Sequence, residues 1–221
     1  TLQFMFAANK ATNKQEFEDA LKLNTMPSIN FVYADRAGNI AHYYNAKFPK
    51  RIDGWQWDKI LPGDRSDLIW TEFHDFSAMP KTVNPSSGLV YNANNTPWIA
   101  TDGDDDAKEN DYPESMGIEN SVTNRVLQIE EKLKGVKKIS KGLFKEVKYD
   151  LSYHPKSFQI NALQAWLRQE TGEGLSQIEI DALNALRNCN FSTHQEKHKA
   201  ALDVLTTTPI QKANTAQHTR E

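Results

Sequence analysis

The stretch from Ser28 to Tyr44 constrains what this chain can fold into more than any other. Residues 28–33 (Ser-Ile-Asn-Phe-Val-Tyr) and 40–44 (Ile-Ala-His-Tyr-Tyr) are β-branched and aromatic runs, separated by Asp35-Arg36-Ala37-Gly38-Asn39. Two such runs around a glycine-containing turn predict an antiparallel hairpin. Gly38 is placed to supply the positive φ of a bulged turn, and Asp35 to hold the turn's amide groups.

The surroundings fall into three compositions. Upstream, Phe17, Ala20 and Leu21 recur at helical steps after the possible cap Asn13, which predicts a helix over 14–23 that Pro27 stops. Downstream, residues 48–85 are punctuated by Pro49, Gly54, Pro62, Gly63, Pro80 and Pro85, with Trp55, Trp57 and Trp70 among them. This predicts a long ordered loop, and tryptophans in such a segment more often pin the loop to a core than stack a ligand. A short strand is expected over 88–92, ending in Asn92-Ala93-Asn94-Asn95-Thr96-Pro97. Beyond a polar, acidic loop over 102–113, apolar steps at Val122, Val126, Ile129 and Leu133 begin a helical half, with further helices predicted over 141–147, 157–168 and 176–186. Ser176 is a candidate cap for the last of these. The expected organisation is a β-rich part over 1–100 with a helix and a long Trp/Pro loop, a helical subdomain over 101–205, and a disordered tail over 206–221.

With 221 residues and 38% hydrophobic content the chain can bury a real core, so disorder throughout is excluded. Its apolar runs are a few residues long, far short of the roughly 18 that a spanning helix needs, and no membrane partner is expected. The net charge of −3 and the lack of a Lys/Arg stripe interleaved with aromatics exclude the electrostatic footprint of a nucleic-acid binder. Cys189 is the single cysteine and has no partner for a disulfide or a zinc cluster. The first residue is Thr1, and the apolar segment 2–8 lacks the basic stretch of a signal peptide, so the chain is expected to be a processed product or a piece of a longer one.

Most candidate chemistry fails on spacing. Asp102, Asp104 and Asp106 match the first ligands of an EF-hand loop. However, Ala107 stands where glycine is needed and Pro113 where a bidentate glutamate is needed, so a solvated acidic loop is expected. His194 and His198 are one helical turn apart but no glutamate follows His194 directly, which leaves a surface pair rather than a zinc motif. Ser86 and Ser87 lack the nucleophile elbow of a serine hydrolase. The unusual feature is Asn92-Ala93-Asn94-Asn95, because three amides so close are poor strand and core residues. Either they satisfy the backbone of a turn, or one amide NH₂ is a donor for developing negative charge, the oxyanion-hole role.

Several motifs in order then carry a family resemblance. Pro27-Ser28-Ile29-Asn30-Phe31-Val32-Tyr33-Ala34-Asp35-x-x-Gly38-Asn39-Ile40, Pro49-x-Arg51, Leu61-Pro62 and Asn84-Pro85-x-Ser87-Gly88 are followed by Asn92-Ala93-Asn94-Asn95-Thr96-Pro97. Over about residues 4–125 this resembles the central β-subunit of the penicillin acylase family. These are N-terminal-nucleophile amidohydrolases that include penicillin, cephalosporin and acyl-homoserine-lactone acylases. The resemblance implies an α+β chain forming part of the αββα N-terminal-nucleophile fold, with a helical subdomain. It implies hydrolysis of an amide between an acyl group and an amine, with an acylated small molecule as substrate. The other precursor segments, the α-subunit and the N-terminal part of the β-subunit, become partners, and a periplasmic or extracellular location follows.

Two site residues are carried by the same resemblance. Asn94 matches the oxyanion-hole asparagine, and Arg125, in Thr123-Asn124-Arg125, matches the arginine that supports the nucleophile and that asparagine. The family's nucleophile is a serine opening the β-subunit, whose α-amino group serves as base because its pKa of about 8 suits it to take the hydroxyl proton. That serine lies upstream of the hairpin and has no counterpart here, and the surroundings of Thr1 match the helix before the hairpin rather than the nucleophile strand. Met116 stands near a calcium-ligand position, so no metal and no cofactor are expected. The run Pro62-Gly63-Asp64-x-Ser66-Asp67-x-x-Trp70 leans toward the homoserine-lactone or long-chain branch rather than the phenylacetyl-specific enzymes, with a β-lactam-type substrate the other option. The rival reading is a non-catalytic binding or structural module, or an inactive truncated product, whose asparagines are only turn residues.

Overall fold

The computed structural model describes residues 1–189 and 191. The chain divides into two compact units, 1–121 with 133–137, and 122–132 with the remainder from 138 onward.

In the first unit the predicted hairpin forms β1 (Ser28–Ala34) and β2 (Ile40–Ala46), paired antiparallel with Phe31 opposite Tyr43 and Val32 opposite His42. The turn uses its residues as expected. Asp35 Oδ1 accepts from the Asn39 amide at 3.0 Å, and Gly38 has φ +90°, a left-handed value that costs glycine nothing. The sheet has a third strand, β3 (Lys81–Val83), paired antiparallel to β2 so that the order is β1-β2-β3. The expected strand over 88–92 does not enter a ladder. Its polar groups go elsewhere: the Tyr91 amide donates to the Ala100 carbonyl at 2.9 Å and the Leu89 amide to Ser87 Oγ at 3.1 Å.

Two helices cover one face of the sheet. α1 (Leu2–Lys10) has no counterpart among the sequence expectations, and α2 (Lys14–Leu21) is capped as predicted, with Asn13 Oδ1 accepting from the Glu16 amide at 3.0 Å. Period-two alternation sends Phe31, Tyr33 and Tyr43 to this face. There Phe4 meets Phe31 with ring centroids 5.2 Å apart, and Phe17 meets Tyr33 at 5.0 Å. Such aromatic contacts, worth about 0.5–1.5 kcal/mol each beyond area burial, pack against a core that holds Leu21, Phe76 and Met79.

The opposite face carries Asn30, His42, Tyr44 and Thr82, and the chain beyond Asn84 packs on it. Tyr44 stacks on Phe48 at 5.9 Å and 13°, and the Glu119 amide donates to its hydroxyl at 3.3 Å. Asn30 Nδ2 donates to Asn92 Oδ1 at 3.1 Å, which anchors the asparagine cluster to β1 across 62 residues of sequence. The loop over 48–85 is ordered as expected. Arg51 lies over the rings of Trp57 and Trp70 at 5.7 and 5.3 Å and donates to the Ser115 carbonyl at 2.9 Å, so Arg51 ties this loop to another segment, while Trp55, Trp57 and Trp70 lie outside the core cluster they were expected to pin the loop to.

The second unit is helical: α3 (Asn124–Leu133, whose last residue clusters with the first unit), α4 (Lys141–Lys148), α5 (Phe158–Gln169) and α6 (Gln177–Arg187). The last three lie within one residue of their expected bounds, and α3 carries the expected steps Val126, Ile129 and Leu133. Ser140 and Ser157 accept from the amides of Leu143 and Ile160, and Ser176 forms a capping box with Glu179. Among the described residues Val126, Ile160, Leu167, Leu183 and Cys189 are its buried apolar residues. The expected tail over 206–221 and the pair His194 and His198 lie outside the described residues.

Candidate active site

The cluster at 92–97 is built by its own side chains. Asn92 Oδ1 accepts from Asn30 Nδ2 and also from the Asn94 amide at 3.1 Å. Asn95 is 2% exposed and turned inward: its Oδ1 accepts from the Ala93 amide at 2.7 Å, and its Nδ2 donates to the carbonyls of Thr96, at 2.8 Å, and Ile99. The Thr96 amide donates to the Ser121 carbonyl at 3.0 Å, which closes the base of the loop. Asn94 is exposed, with φ +56°. Asparagine tolerates this left-handed conformation far better than β-branched or bulky residues do. Asn95 therefore braces the loop and Asn94 is displayed by it.

The acidic run beside this loop is more than solvated surface. Asp106 Oδ1 accepts from the amides of Ala100 and Thr101 at 2.7 and 3.1 Å, and Asp102 Oδ2 from that of Gly135 at 2.9 Å. Asp105 accepts from the Ser86 hydroxyl and amide, and those bonds hold its carboxyl below the usual carboxylate range. The three carboxylates thus fasten separate segments, and among the described residues no group of three metal-ligating side chains comes together.

Arg125 belongs to the other unit. Thr123 Oγ1 accepts from the Val126 amide at 3.2 Å, capping the start of α3, and Asn124 straddles the chain beyond α4 by donating to the Ser152 carbonyl at 2.9 Å while accepting from the His154 amide at 2.6 Å. Arg125 is exposed on the first turn of the helix so anchored. Glu131 faces His154 at 3.1 Å from Nε2, and the Lys156 amide donates to His154 Nδ1 at 3.0 Å. The Thr1 hydroxyl donates to the Thr25 carbonyl at 3.1 Å. Met116 is 1% exposed and belongs to the apolar core of the first unit.

Sequence reasoning missed the anchors Asn30, Asp106 and Asn124. Asn30 and Asn124 stood in the family motifs and Asp106 in the acidic run, but nothing in those patterns gave their anchoring partners.

Known structures and sequences identify the class. A thermostable penicillin G acylase from Alcaligenes faecalis superposes with a TM-score of 0.55 and 24% identity, over 84% of this chain and 31% of the other. That likeness assigns the α+β N-terminal-nucleophile hydrolase fold. The penicillin amidase family profile matches residues 1–213, and the chain belongs to that family. Among curated relatives, penicillin G acylase of Escherichia coli is 32% identical over 106 residues, 48% of this chain. Penicillin acylase 2 proenzyme of Pseudomonas sp. (strain SE83) is 35% identical over 68 residues, 30% of this chain. The matched segments span 11% and 8% of those two proteins.

Proposed function

We propose that this chain forms part of an acyl-amide hydrolase and supplies electrostatic support rather than the nucleophile. Asn94 Nδ2 donates to the oxyanion of the tetrahedral intermediate, and Arg125 supports the nucleophile and Asn94. The serine whose α-amino group acts as base comes from a segment outside residues 1–221. The substrate is an acylated amine of acyl-homoserine-lactone or β-lactam type, and the site of action is periplasmic or extracellular. No helix among the described residues is long and apolar enough to cross a membrane.

The observation that carries this reading is the division of labour between adjacent amides. A catalytic donor must be held rigidly while its NH₂ stays accessible to substrate. Asn95 spends both side-chain atoms on the loop backbone, and Asn94 is the exposed residue that the loop presents. The relatives support the chemistry through their names, two penicillin G acylases and a penicillin acylase proenzyme. The outer edge of β1, which pairs only with β2 among the described residues, suits a strand from another precursor segment.

The test uses mature full-length enzyme whose processed N-terminus has been sequenced. Asn94→Ala should lower kcat by about 10²–10³, roughly 2.7–4 kcal/mol, with little change in KM, because the charge exists chiefly in the transition state. Asn95→Ala should chiefly lower stability, by about 1–3 kcal/mol, since it removes the acceptor of the buried Ala93 amide and the side-chain donor to two carbonyls. If Asn94→Ala stays within about threefold of the parent while Asn95→Ala loses turnover, the wrong amide has been assigned. If neither loses it, the acylase reading of this cluster fails.

A further inference from the structure

We propose that a cleft walled by Trp98 and Tyr112 binds the ammonium group of a small organic cation. The cleft encloses about 400 Å³ in the first unit, at the small end of ligand pockets. Its apolar wall is an aromatic pair with ring centroids 5.3 Å apart and planes inclined by 38°. One relay of bonds sets both ring and charge: Trp98 Nε1 donates to Asn120 Oδ1 at 2.6 Å, and Asn120 Nδ2 donates to Glu109 Oε1 at 2.6 Å. The indole is thereby fixed with its N–H satisfied, leaving its π-face as the recognition surface, and one carboxylate is fixed at the rim. Glu114 adds a second carboxylate.

The sign of the charge identifies the ligand. No basic side chain lines the cleft, and between Ile99 and Ser121 the sole base, Lys108, faces eight carboxylates in sequence. Electron-rich ring faces beside carboxylates attract a cation by the ring quadrupole and by Coulomb attraction together. Burial and the nearby Asp111 raise the Tyr112 phenol above its usual range, so this ring stays neutral. A divalent metal is a poor match, because no group of three metal-ligating side chains occurs among the described residues. An alkylated ammonium is weakly hydrated and suits a wall that is half aromatic. A neutral apolar guest would desolvate the carboxylates with nothing to compensate them. The inference stands apart from the acyl-amide reading, since it uses neither Asn94 nor Arg125.

The test titrates the full natural chain with choline and with its neutral carbon isostere, 3,3-dimethylbutan-1-ol, following the Trp98 indole N–H resonance by NMR and the heat by calorimetry. Choline should shift that resonance saturably and bind at least about tenfold more tightly than the isostere. Trp98→Leu should abolish the binding. Glu114→Gln, whose carboxylate makes no hydrogen bond or ion pair among the described residues, should weaken it about threefold or more and flatten its salt dependence without disturbing the fold. Equal binding of the isostere would overturn the proposal in favour of an apolar slot. It is equally overturned if choline does not bind, or if its affinity is unchanged in folded Glu114→Gln.

Discussion

His42 makes stability depend on pH in a window that opens above the carboxylate range. It lies at the centre of β2, 0% exposed, opposite Val32 and Thr82, and neither ring nitrogen has a hydrogen-bond partner among the described residues. Burial alone pushes its pKa down from 6.5 to about 4. Above pH 6.5 the imidazole is neutral in native and unfolded chains alike, and the stability is at its full value. Between about 6.5 and 4 the unfolded chain takes up a proton that the native chain refuses, so stability falls by up to about 1.4 kcal/mol per pH unit and by about 3 kcal/mol in all. Below about 4 this contribution levels off. The measurement is urea unfolding of the natural chain and of His42→Leu, of similar volume, at steps from pH 7.5 to 3.5. Carboxylates titrate in both proteins and cancel in the difference. The stability of His42→Leu relative to the parent should rise by about 3 kcal/mol from pH 7.5 to 4. A difference that stays flat with pH, or that opens only below pH 4, would refute the assignment of a buried neutral histidine.

Other consequences are more local. Tyr43 donates to Glu18 Oε1 at 2.7 Å, and Lys14 Nζ reaches the same oxygen at 3.0 Å. Burial on its own would raise the Glu18 pKa, but these two bonds outweigh it and hold the carboxyl below its usual range. Tyr43→Phe should therefore raise the Glu18 pKa, seen by carboxyl-carbon NMR, and cost about 1.5–3 kcal/mol in urea unfolding at pH 7, a loss that shrinks as pH falls through the carboxylate range. Gly117 has φ +67°, and a Cβ there would collide with Arg51 Nη1. Gly117→Ala should thus destabilise by about 1–3 kcal/mol in thermal melts, through backbone strain and displacement of the guanidinium. Asn13→Ala removes the α2 cap and should cost about 1 kcal/mol by the same assay. Residues 1–221 alone should hydrolyse neither a phenylacetyl amide nor an acyl-homoserine lactone, and turnover abolished by acetylating the Thr1 amine would overturn that expectation.

What could be read from sequence was what short-range chemistry decides. The hairpin followed from Asp35 and Gly38 lying between two β-rich runs, and the starts of α2 and α6 followed from the caps Asn13 and Ser176, each within three residues of the amide it serves. Strand β3 was hidden because three residues between Pro80 and Asn84 hold too little pattern, and their pairing with β2 depends on a partner some forty residues away. The segment 88–92 misled for the converse reason: Leu89, Val90 and Tyr91 have strand composition, but Ser87, Thr101 and Ala100 take their hydrogen bonds before any strand can. Helix α1 shows only Phe4 buried, while Leu2 and Phe6 face outward at 84% and 64% exposure, so no apolar stripe marked it. The asparagine cluster divides along the same line. That amides at 92, 94 and 95 were unusual was evident from their types. Which one is displayed depends on a bond from Asn30 on β1 and on a closure at Ser121, so the sequence offers identical side chains and tertiary structure assigns them different work. Asn92 is the tether, Asn95 the brace, and Asn94 an exposed residue on a left-handed backbone, whose replacement leaves the side-chain bonds of the tether and the brace in place.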